Sequence, residues 1–127
     1  MFTGFAVQAQ EDEHDKIRDK MREFIQKRLN LTRNEAERFT PVFVRYFREW
    51  RQTLREHKGD MLERQKRIVD LQIHYRPEFR EIVGEKRSTE IFRQQEIFID
   101  NLRKVREEQT RSRKDDRPNK RFRALLQ

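Results

Sequence analysis

Between Ala36 and Met61 the residues Ala36, Phe39, Phe43, Tyr46, Phe47, Trp50, Leu54 and Met61 fall within about 60° of one line when the chain is wound at 100° per residue. A stripe that narrow, kept over so many turns, describes a helix. A strand would put alternate residues on opposite faces. The periodicity passes through Pro41 without losing phase. Proline removes one backbone N–H and presses on the preceding turn, so the expectation is a continuous helix kinked there, able to curve round a partner. Its start is marked by Thr32 and Glu35, a capping box in which hydroxyl and carboxylate each satisfy a free backbone N–H. Leu31, just before the cap, is placed to staple onto the first turn.

Three further helices read from the same period. The first is expected over Glu11–Leu29, with three acids in its first turn, where they suit the helix dipole. Ile17, Met21 and Phe24 share one face, with Ile25 and Leu29 beside them. Lys58-Gly59-Asp60 is a possible break. From Met61 a third helix repeats Met61, Ile68, Tyr75 and Ile82 every seven residues, with Leu71 and Phe79 on that side and Leu62, Val69 and Ile73 opposite. Two apolar stripes suit two packing partners, which makes Leu62, Val69 and Ile73 candidates for an interface between protomers. Pro77 either kinks this helix or opens a short new one, and Gly84 ends the run. A fourth helix is expected from about Ser88, as N-cap, with Ile91, Phe98, Leu102 and Val105 as its seam and Ile99 alongside. After Glu108 the basic tail QTRSRKDDRPNKRFRALLQ has little periodicity, so residues 109–127 are expected to be disordered and the helical domain to occupy 10–108.

Composition agrees with an all-α chain built on a thin core. Charged residues make up 43% and hydrophobic ones 33%, and 3 Gly and 3 Pro are too few for a turn-rich β fold. Ten Phe, one Trp and two Tyr argue against disorder over most of the length. The net charge of +8 offers a surface to nucleic acid, anionic lipid or acidic protein segments, but 23 acids interleave with the bases and weaken the nucleic-acid reading. The absence of Cys excludes disulfides, thiol catalysis and zinc–thiolate sites. The uncharged opening MFTGFAVQAQ ends in Val7-Gln8-Ala9. Small residues at −3 and −1 suit signal peptidase, so residues 1–9 read as the remnant of an export signal, the alternative being a frayed terminus. No stretch is long enough to span a membrane.

No catalytic signature is present: the sequence has no Gly-rich phosphate loop, no Gly-x-Ser-x-Gly and no Cys nucleophile, and the expectation is a non-enzyme. His14, His57 and His74 lack metal-ligand spacing, so neither metal nor cofactor is expected. One cluster points to binding. Arg45, Arg48, Arg51 and Arg55 lie along one flank of the second helix, with Val44 among them. Periodicity alone reads this as a solvated face; the functional reading is a basic, partly apolar surface for an unstructured or acidic partner.

The stretch LNLTRNEAERFTPVF resembles the first helix-start motif of the Spy/CpxP family of small periplasmic helical proteins, and is most similar to Bacteroidetes versions labelled sensors of ECF-type sigma factors. The matching positions are Lys16-Ile17, Leu29, Leu31-Thr32, Glu35-Ala36, Phe39, Pro41-Val42, Phe43 and Tyr46, and IVGEKRSTEIFRQQEIF resembles the family's final turn and helix. The family motif Leu-Thr-x-x-Gln has Glu35 in its last place here, and a second copy is missing, with Gly84-Glu85-Lys86 at the corresponding turn. The resemblance implies a four-helix, hairpin-like protomer with kinked helices, paired as a thin curved dimer. It implies a periplasmic protein that holds unfolded clients without ATP on a basic, partly apolar surface. A regulatory module relaying envelope stress to a membrane or sigma-factor pathway partner shares that fold. A cytosolic nucleic-acid-binding helical protein is the third class.

Overall fold

The computed structural model describes residues 3–116, with side chains from residue 13 to residue 113. Among the described residues the protein is all-α: α1 (Thr3–Arg28), α2 (Arg33–Glu56), α3 (Met61–Val83) and α4 (Glu85–Asp116), with no strand. Among the described residues, those up to Gln95 form one compact unit, and those from Glu96 to Asp116 a second. The first unit holds α1, α2, α3 and the opening turns of α4.

Both ends of α2 follow from local chemistry. Thr32 Oγ1 accepts from the Glu35 N–H at 3.2 Å, and the Glu35 carboxylate accepts from the Thr32 N–H at 3.0 Å, so the capping box is complete. The helix runs on through Pro41 and stops at Glu56, with His57 as C-cap. The corner between α1 and α2 is closed by Asn30, whose φ of 53° is left-handed. Its N–H donates to the Lys27 carbonyl (3.2 Å), and the Leu31 N–H reaches back to the Gln26 carbonyl (3.0 Å). That pair of bonds is a Schellman closure, which asparagine tolerates better than any β-branched residue.

The core of the first unit is aromatic. Phe39, Phe43 and Tyr46 from α2 and Phe79 from α3 are fully buried, with Met21 and Ile25 from α1 and Ile91 from α4. Ring centroids lie 5.5 Å apart for Phe39–Phe79 and Tyr46–Tyr75, and 5.6 Å for Tyr46–Phe92. Edge and offset contacts of this kind add to the burial of the rings themselves. A polar node crosses this core: Tyr46 Oη donates to Gln95 Oε1 at 2.5 Å and accepts from Gln72 Nε2 at 3.2 Å. Gln95 Nε2 is buried with no partner. Burial, then a hydrogen bond to Glu49, pushes the Tyr75 phenol up to about 12.

Several boundaries differ from the sequence expectations. α1 begins at Thr3, so Glu11 and its acidic neighbours lie inside the helix and its first turn carries no acid; Ala and Gln upstream of Glu11 are good helix formers and do not stop propagation. α3 continues through Pro77, so PEFREIV is no separate helix. α4 starts at Glu85, because Gly84, at φ 89°, reverses the chain in a single residue. Ser88 is therefore a buried residue inside the first turns, its hydroxyl donating to the Glu85 carbonyl at 2.7 Å, and not the N-cap. The same helix extends past Glu108 to Asp116, so the expected disordered tail does not begin at 109; residues 117–127 lie outside the described residues. Met61 belongs to the first turn of α3 and is 59% exposed, outside both stripes that counted it, since α2 ends before reaching it.

Candidate functional site

α1 and α2 run antiparallel, joined where Gln26 Nε2 donates to Thr40 Oγ1 at 3.4 Å. Beyond that bond they part along an open groove of about 190 Å³. α2 supplies Phe47 from its apolar side and Val44, Arg48, Arg51 and Arg55 from its flank; α1 supplies His14, Asp15 and Arg18. A second depression continues it toward Glu13, Leu54 and Lys58.

The helical wheel explains the α2 wall. Val44, Arg48, Arg51 and Arg55 lie within about 60° of one another, whereas Arg45 stands about 60° beyond Arg48. Arg45 accordingly leaves the cluster. It turns to α3, where its guanidinium meets Glu78 at 2.8 Å. Four of the five residues read as one binding surface therefore come together, and Arg45 does not.

The electrostatics of the groove are lopsided. Arg18 is held by Asp15 at 3.1 Å and Asp19 at 3.2 Å. Arg48, Arg51 and Arg55 have no carboxylate within ion-pair distance among the described residues, while Arg45, Arg67, Arg80 and Arg87 each do. Arg51 is half-buried, and its pKa is lowered first by burial and then by the like charge of Arg55. A cluster of one sign against a low-dielectric wall focuses the field into the cleft.

The α1 wall was not read from the sequence, although a signal for it exists. His14, Arg18, Met21 and Ile25 fall within about 60° of one another on the wheel. Met21 and Ile25 are buried against the core, so the same face, followed toward the N-terminus, must bring Arg18 and His14 over α2.

Leu62, Val69 and Ile73, the second stripe of α3, stand 73%, 50% and 53% exposed, so no packing among the described residues buries them. No group of three His, Cys, Asp or Glu side chains converges to hold a metal among the described residues. Nor is any described helix long and apolar enough to cross a membrane. No family model matches this chain, and neither a curated protein nor a solved structure is significantly similar to it.

Proposed function

We propose that the protein is an exported, ATP-independent chaperone-like or envelope-stress protein of the Spy/CpxP type, which binds unfolded or partner protein segments in the groove between α1 and α2. The observation that carries this reading is the juxtaposition of Arg48, Arg51 and Arg55, free of carboxylate partners among the described residues, with the apolar Val44 and Phe47. Arginine stems cover apolar side chains of a client while the guanidinium heads meet its carboxylates. Such contacts are loose, tolerant of sequence and weakened by salt over a Debye length of about 10 Å at 0.1 M. The exposed Leu62, Val69 and Ile73 support pairing of two protomers through α3. The Val-x-Ala end of the opening segment supports export to the periplasm.

The test is light scattering from an acidic client unfolding in the presence of the protein without nucleotide. The parent protein slows aggregation. Arg48→Glu with Arg55→Glu abolishes most of that protection at unchanged helicity, and Arg45→Glu, on the flank facing α3, leaves it largely intact. Protection unaffected by the double reversal would show that the groove is only a solvated face. No protection by the parent would favour the sensor reading, in which one specific partner replaces many clients.

A further inference from the structure

The spacing of Arg48, Arg51 and Arg55, which form no ion pair among the described side chains, carries more than a preference for acidic segments. Arg48 and Arg55 are separated by about 10 Å along α2, from a rise of 1.5 Å per residue, with Arg51 between them on the same flank. A single small oxyanion cannot span that row. A linear ligand with two or three oxyanion groups can, one group to each guanidinium fork. Guanidinium is planar and bidentate, and matches phosphoryl oxygens as well as it matches carboxylates. Asp15, which lines the groove, is already held by Arg18, and Glu13, which lines the continuing depression beside Arg51 and Arg55, forms no ion pair with them. The half-buried Arg51, pressed by Arg55, is the group that gains most from a neutralising partner.

We infer that this groove is a binding site for a soluble linear oligophosphate, seated along Arg48, Arg51 and Arg55. It uses the groove of the partner-binding reading, so an oligophosphate would compete with an acidic client for the same three arginines. The chain carries its own reporter: Trp50, the only tryptophan, lies with its ring 5.6 Å from that of Phe47, which lines the groove.

The experiment titrates the full chain with tripolyphosphate, orthophosphate and a short oligoglutamate of equal charge at fixed ionic strength. It follows Trp50 fluorescence and the arginine Nε–H resonances. Tripolyphosphate should bind about tenfold or more tighter than orthophosphate and tighter than oligoglutamate, and should shift Arg48, Arg51 and Arg55 but not Arg45. Arg48→Gln, Arg51→Gln and Arg55→Gln together, which keep most of each stem, should weaken it about tenfold or more. The resonance shifts in the unmodified protein keep the test valid should that variant fold poorly. Equal affinities for the three probes, or shifts spread evenly over all arginines, would overturn the inference. Client protection is measured in parallel. Loss of protection in the Gln variant with no oligophosphate binding by the parent defeats this inference alone. Oligophosphate binding without any client protection defeats only the partner-binding reading.

Discussion

Glu35 closes the capping box on Thr32 and, with the same carboxylate, takes a two-pronged grip from Arg87. Arg87 also donates to the Val83 carbonyl at 2.9 Å and to the Leu29 carbonyl at 3.5 Å, so one side chain ties the α1–α2 corner to the α3–α4 corner. The Arg87 hydrogen bond, followed by that of Thr32, holds the Glu35 carboxyl below its ordinary range. A depressed folded-state pKa contributes stability above the unfolded carboxylate value near 4.3, and that stability is lost as pH falls through the folded value. Glu35→Gln should therefore destabilise the protein by about 0.5–1 kcal/mol at neutral pH, the pair being part-exposed and screened by solvent. The gap between parent and variant should close as pH drops below about 4. Urea titrations at pH 7 and pH 3 check this, and a gap that did not narrow at all between them would count against the ionised pair as its source. The capping box was legible from residues 32–35 alone, because its partners are three residues apart. The Arg87 grip was not, because 52 residues separate its ends.

At the scale of the element, the apolar period located all four helices, but side-chain period says little about ends. α1 and α4 both run further than their periodic stretches, through Ala-, Gln-, Arg- and Glu-rich sequence that lacks an apolar stripe yet has no reason to stop being helical. The exposed row of Leu62, Val69 and Ile73 was legible because it repeats on a face of α3 that Tyr75 and Phe79 leave free. The polar node was invisible: nothing in the local sequence pairs Tyr46 with Gln72 or Gln95. It also gives the sharpest packing prediction. Tyr46→Phe strips Gln95 Oε1 of its donor while Gln95 Nε2 already lacks an acceptor, leaving a wholly unpaired amide in an aromatic core. The expected cost is about 1–3 kcal/mol in the unfolding free energy. Gln95→Met in the same background should recover part of it, since an apolar chain of similar length has no polar group to strand. No recovery would mean that the node matters by shape and not by hydrogen bonding.

At the scale of the whole molecule, the proposed function draws on two surfaces: the arginine-lined groove, proposed to take partners, and the exposed apolar row on α3, proposed to take a second copy. The proposed pairing predicts that Leu62→Glu with Val69→Glu converts a dimer into a well-folded monomer in sedimentation velocity at tens of micromolar (about the range in which a modest interface forms). A parent that sediments as a monomer there would remove the pairing and leave the groove untouched. The groove itself was half legible. Val44, Arg48, Arg51 and Arg55 share a flank that any wheel reveals, but only the antiparallel packing of α1 adds His14 and Arg18 and turns a flank into a cleft. The same packing separates Arg45, whose partner Glu78 lies on a different helix. The central claim is that unfolded segments occupy this cleft, and photo-crosslinking measures it most directly. A benzophenone side chain placed at Val44, inside the groove, should capture an unfolding acidic client, and the same group at Arg38, exposed on α2 away from the groove, should not. Equal capture at both positions, or capture at Arg38 alone, would contradict the account.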